Sequence, residues 1–172
     1  MKKKLSVGLV LVAAVALSAF GGGKRNNVLN FSGAIGVIPV SNVVVNGTTT
    51  TVSANVVRGI QPSGQIWRIA DLDARVTADG HISIRGRGLL LGGGNGIGTN
   101  GGQSVFATLV CGSGSTATDS STNETGVALD SDGDFTINDV LSPLPASSCD
   151  TPALLIRTAA GAHPWFAVGI ED

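Results

Sequence analysis

Residues 66–111 read IWRIADLDARVTADGHISIRGRGLLLGGGNGIGTNGGQSVFATLVC, and their alternation decides the fold class. Leu72, Ala74 and Val76 alternate with Asp71, Asp73 and Arg75; Ile82 and Ile84 then alternate with His81, Ser83, Arg85 and Arg87. A period of two belongs to half-buried strands, so the stretch predicts a hairpin about Asp79-Gly80. A two-residue loop would set Val76 against Ser83 and mix the faces. A three-residue loop of Ala78, Asp79 and Gly80, with Gly80 left-handed, pairs Thr77 with His81 and Val76 with Ile82. It also pairs Ala74 with Ile84, Asp73 with Arg85 and Asp71 with Arg87. The two acid–arginine pairs then act chiefly on register, each adding roughly 0.2 to 1 kcal/mol at an exposed site.

Outward from this hairpin the chain keeps the same character. Short apolar or alternating runs, separated by Gly, Asn, Asp and Pro, occur at 28–40, 43–45, 48–57, 103–111, 127–129, 134–137, 153–157 and 165–170. Asn46-Gly47 marks a second hairpin. Residues 92–102 form a long glycine loop, 112–126 a polar Ser- and Thr-rich connection, and 141–152 an irregular segment with three of the six prolines. Charged residues make up 13% of the chain, about half the usual share, and its 25 glycines are about twice it. The expectation is an all-β, single-domain β-sandwich or small β-barrel of about nine or ten short antiparallel strands. An outer-membrane barrel is disfavoured, because the chain has no Tyr and few Trp and Phe for aromatic girdles.

Residues 1–19 read as a signal peptide: Lys2, Lys3 and Lys4, then an apolar run from Leu5 to Leu17, then Leu17-Ser18-Ala19 as a cleavage site. Residues 20–27 would be a flexible mature N-terminus and 28–172 the all-β domain. No membrane insertion is expected after signal cleavage, and Phe20 stands where a lipoprotein signal needs Cys. Removal of the three lysines leaves eight basic residues against twelve acidic, a net charge of −4, which disfavours nucleic acid and anionic membranes as partners. Cys111 and Cys149 are an even count in an exported chain, so they predict one disulfide. The expected location is periplasmic or extracellular.

Several residues invite chemistry. In Asp130-Ser-Asp132-Gly-Asp134, followed by Asp139, carboxylates at alternate positions match the oxygen ligands that Ca²⁺ prefers. Phe135 stands where an EF-hand loop needs Gly, and Leu141 where it needs a bidentate Glu. An Asp-Gly turn with its acids facing water is the favoured interpretation, with Asp130, Asp132, Asp134 and Asp139 as metal ligands the alternative. Gly96-Ile-Gly98-Thr-Asn-Gly101 is formally GxGxxG but lacks the helix a dinucleotide site requires. His81 and His163 have no GxSxG elbow or HExxH partner, and Asp71 and Asp73 read as an ion-pair ladder rather than a glycosidase pair. Trp67 and Trp165 are assigned to the core in preference to a sugar platform.

FSGAIGVIPV (31–40), GRGLLLGGGNGIGTNGGQSVFATLVCG (86–112), LDSDGDFTINDVLS (129–142) and LLIRTAAGAHPWFAVGI (154–170) together resemble a group of small exported bacterial all-β proteins of unassigned function. FSGAIGVIPV followed by GHISIRG (80–86) also resembles the opening and the HIH-containing strand of CHRD-type extracellular β domains, with Ser83 at the second His position. Neither resemblance implies catalytic residues. The functional expectation is an exported non-catalytic β domain, a structural or interaction module for a protein or glycan partner. Two alternatives stand beside it: a calcium-dependent binding domain using residues 130–139, and a hydrolase with a site near His81.

Overall fold

The computed structural model describes residues 27–172. The expected signal peptide and most of the expected mature N-terminus lie outside the described residues. The chain is all-β, with thirteen strands and one short 3₁₀ turn at Gly114–Thr116 among the described residues. No helix among them is long and apolar enough to cross a membrane.

The strands are β1 (Asn27–Gly36), β2 (Val40–Asn46), β3 (Thr49–Ala54), β4 (Trp67–Arg68), β5 (Asp71–Thr77), β6 (His81–Arg87) and β7 (Leu90–Leu91). They continue as β8 (Ser104–Cys111), β9 (Thr118–Ser121), β10 (Val127–Ala128), β11 (Phe135–Val140), β12 (Ala153–Thr158) and β13 (Trp165–Glu171). Nine form one antiparallel sheet in the order β10-β8-β12-β13-β1-β5-β6-β11, with β9 also on β8. This sheet curls into a half-barrel around the core. β2 with β3, and β4 with β7, form separate two-stranded sheets.

The central hairpin has the register its faces demanded. Val76 opposes Ile82, Ala74 opposes Ile84, Asp73 opposes Arg85 and Asp71 opposes Arg87. Gly80 is left-handed at φ 78°, and its N–H donates to the Thr77 carbonyl at 2.9 Å. Leu72, Ala74, Val76, Ile82 and Ile84 are buried, while Asp71, Asp73, Arg85 and Arg87 face water. The expected cross-strand ion pairs do not close: Asp73 meets Arg75 on its own strand at 3.3 Å, and neither Asp73–Arg85 nor Asp71–Arg87 comes within ion-pair distance among the described residues. Register therefore follows from the apolar face and the turn, without help from charge.

Thirteen strands exceed the nine or ten expected. Two of the additional pieces, β4 and β7, are two residues long, too short for any alternation to reveal, whereas β10 falls on the expected run 127–129. The third, β9, lies in the polar stretch 112–126, which is therefore not simply a connection: its residues extend the ladder on β8, and Thr122 exchanges hydrogen bonds with Ala107 beside it. β12 and β13 lie in the middle of the main sheet.

Cys111 and Cys149 form the expected disulfide, which ties the segment 141–152 to the end of β8. That segment carries a cis Ser142-Pro143 peptide.

Candidate functional site

The acidic run connects β10 to β11, two strands at opposite ends of the main sheet, since β10 pairs with β8 and β11 with β6. The turn is tight: Gly133 N–H donates to the Asp130 carbonyl at 2.9 Å, and Asp130 N–H to the Asp134 carbonyl at 2.9 Å. Asp130 and Asp132 face water, as the turn assignment required. The other two carboxylates are occupied. Asp134 Oδ1 accepts from Gly88 N–H at 2.9 Å, and Asp139 Oδ2 accepts from Asn123 N–H at 2.8 Å.

The four acids are not brought together. Asp134 and Asp139 stand five residues apart along an extended strand, roughly 16 Å at about 3.3 Å per residue, too far to share an ion. No group of three or more Asp, Glu, His or Cys side chains gathers into a metal-ligand set among the described residues. Asp139 thus holds a backbone N–H across the gap where the curled sheet's ends approach, and Asp134 holds the chain just after the neighbouring strand β6.

The polar face of β5, β6 and β11 carries His81. A shallow hollow of about 550 Å³ there is lined by Arg75, His81, Ser83, Asn138 and Asp139, among others. His81 Nε2 lies 3.7 Å from Asp79 Oδ2, while the Ser83 hydroxyl donates to Asn138 Oδ1 at 2.8 Å. Histidine and serine are thus each turned to a different partner. The Asp79 carboxyl is held below the usual aspartate range chiefly by the Thr77 hydroxyl, which outweighs desolvation, with smaller help from the His81 N–H and ring.

Trp67 and Trp165 are both core residues. Trp67 stacks on Phe166 with ring centroids 4.0 Å apart and donates to Ser63 Oγ; Trp165 donates to the Asn55 carbonyl at 3.1 Å. In the glycine loop, Gly98 N–H donates to Leu91 O and Leu91 N–H to Thr99 O, which folds it back on β7 before β8 begins. No helix opens there, so Gly96, Gly98 and Gly101 lack the geometry of a pyrophosphate cradle.

One side-chain cluster escaped the sequence entirely. On the outer face of β8 and β12, Arg157 lies over the Phe106 ring at 5.1 Å, and His163 packs edge-on to the same ring at 5.2 Å. Arg157 Nε donates to the His163 carbonyl at 2.8 Å and Nη1 to Thr108 Oγ1 at 3.2 Å; His163 Nδ1 lies 3.7 Å from Glu124. Burial lowers the Arg157 pKa, against the fields of Asp119 and Glu124. His163 is left-handed at φ 55°, a conformation that costs a non-glycine residue of order 1 kcal/mol or more. The cluster fastens the 159–164 loop to the sheet. Phe106 and Arg157 are adjacent only through the β8–β12 register, so no local pattern announces them.

No family model, curated protein or solved structure matches this chain. The functional assignment therefore rests on its own geometry.

The remaining feature is the β2–β3 hairpin. Every residue of both strands is exposed, and among the described residues neither strand pairs with a third. Asn46 opposes Thr49, so the turn is Gly47-Thr48, with Gly47 left-handed at φ 58°. Its root is fixed. Val37 is fully buried and donates to Phe166 O, Asn55 N–H donates to Pro39 O, Asn55 Nδ2 to Ile38 O, and Trp165 holds the Asn55 carbonyl. An anchored ribbon thus projects from the half-barrel. The Asn46-Gly47 signal found the hairpin but not its isolation.

Proposed function

We propose that this chain is an exported, non-catalytic β module, working in the periplasm or outside the cell, and that it acts by contact through the β2–β3 arm. The observation that carries this assignment is that every residue of a two-stranded ribbon bearing Val40, Val43, Val44, Val45 and Val52 is exposed. A lone hairpin is marginal in water, and soluble proteins seldom leave long apolar edge strands uncovered. The Cys111–Cys149 disulfide suits an oxidising compartment. We also take the half-barrel to be a small closed barrel, which is supported by the Asn123–Asp139 bond and the Ser121–Ser142 backbone pairing between its ends.

The test is a photo-crosslinking residue placed at Val45, or at Thr136 on the polar barrel face, in cells that export the full chain. Adducts from position 45 and none from 136 support contact through the arm. Adducts from 136 alone, or none from either, overturn it.

A further inference from the structure

The arm has two different faces. Register pairs Val43 with Val52, Val45 with Thr50 and Val40 with Ala54, while Asn42, Val44 and Asn46 oppose Ser53, Thr51 and Thr49. Directly opposed residues point to the same side and neighbours along a strand to opposite sides. Val43, Val45, Thr50, Val52 and Ala54 therefore share one face, with Asn42, Val44, Asn46, Thr49, Thr51 and Ser53 on the other.

Val40 is three residues from Val43 and would ordinarily fall on the wrong side. The ladder shifts between Val40 and Asn42, and the extra residue, Ser41, turns its hydroxyl onto the Ser53 and Ala54 carbonyls at 3.3 and 3.0 Å. The bulge restores the phase and returns Val40 to the apolar side. Val43, Val45 and Val52 on that face remain 53%, 65% and 56% exposed.

Charge indicates what covers this face. Between Arg25 and Arg58 the chain has no Asp, Glu, Lys or Arg, so the whole arm and its root are uncharged. The charged residues that usually guard a free strand edge are missing on both sides. A two-fold contact places each side chain near its symmetry mate, which penalises any charged patch but not an uncharged Val and Thr surface.

Resting on the reading of the arm as the contact element, we propose that its partner is a second copy of this chain, docked apolar face to apolar face about a two-fold axis. The patch spans roughly 20 by 10 Å at about 3.3 Å per residue and 4.8 Å per strand. That is well below the roughly 800 Å² per partner of a standard stable interface, so the dimer is a concentration-dependent one.

The experiment is sedimentation equilibrium of the exported protein from about 1 µM to about 1 mM. Wild-type protein is expected to rise from the monomer mass to twice it. Val45→Lys on the apolar face should hold it at the monomer mass, and Val44→Lys on the opposite face should leave the doubling intact. Far-UV circular dichroism should be the same for all three, because both positions are exposed. A wild-type monomer at every concentration, or equal loss in both variants, overturns the self-docking. If Val45 then still crosslinks in cells to a different protein, arm contact survives and only the second copy is wrong; if Val45 crosslinks to nothing, both fall.

Discussion

Replacing Gly133 by Ala tests the packing of the Asp-Gly turn, and Asp132→Ala beside it separates that turn from a metal loop. Gly133 is buried at φ 79°, and an added Cβ would lie 2.5 Å from Leu89 O, 2.6 Å from Leu89 N and 2.8 Å from Leu89 C. Backbone cannot swing aside as a side chain can, and Leu89 is itself fully buried. The left-handed conformation costs Ala about 1 to 2 kcal/mol. Overpacking adds about 1 to 3 kcal/mol. The Leu89 N–H to Gly133 carbonyl bond, 2.9 Å long, would be strained as well. A loss of about 2 to 5 kcal/mol corresponds to a Tm lower by about 5 to 15 °C. The neighbouring Asp132→Ala removes an exposed carboxylate that accepts no hydrogen bond among the described residues, so it should stay within about 0.5 kcal/mol of wild type. The assay is thermal melting by circular dichroism, in millimolar calcium and again in excess chelator. Superimposed wild-type melts, a low Gly133→Ala melt and an unchanged Asp132→Ala melt are expected. A Gly133→Ala protein that melts with wild type would refute the packing argument. A calcium-dependent rise abolished by Asp132→Ala would restore the metal loop.

Reduction of Cys111–Cys149, which spans 38 positions, should destabilise by about 4 kcal/mol in the chain-entropy model, read as the shift in denaturant midpoint with and without reductant. Gly86→Ala drives a Cβ to within 2.1 Å of the buried Phe135 ring and should cost about 1 to 3 kcal/mol; Phe135→Leu in the same chain should recover part of it, measured as a double-mutant cycle. Asp79 should titrate below the ordinary aspartate range in an NMR pH series. A lowered pKa means that its contribution is present above the unfolded value and lost as pH falls through the folded one, and Thr77→Val should move the titration back up.

Much of the fold was written locally. The 71–87 hairpin was legible down to its register because one face had to be apolar and the turn had to hold Gly80 left-handed. The apolar run of β8 was legible as a strand, and the structure covers it on both faces. β9 was not, because the buried residues in and just after it are polar: Ser120 and Thr122 lie inside, and Thr122 satisfies its hydroxyl on the Ala107 backbone, which no hydrophobic pattern can signal. The acidic run was legible as an Asp-Gly turn. The partners of Asp134 and Asp139 lie 46 and 16 residues away, so their fastening role is visible only once the sheet has curled.

The arm was half legible. The β-prone runs 43–45 and 48–57 about Asn46-Gly47 announced strands, and a strand pattern ordinarily implies a surface to pack on. The bulge at Ser41 hid the fact that three valines of β2 share a face. The uncharged interval from residue 26 to residue 57 was in plain view, but its meaning depends on knowing that the hairpin stands apart from the barrel.

Docking of the arm on a second copy can be read from hydrogen exchange of its amides, followed by mass spectrometry on the exported protein at low and high concentration. An apolar face that docks on a second copy should slow exchange across residues 40–54 as concentration rises, with β8 unchanged. Exchange across 40–54 that is fast and the same at both concentrations would contradict it.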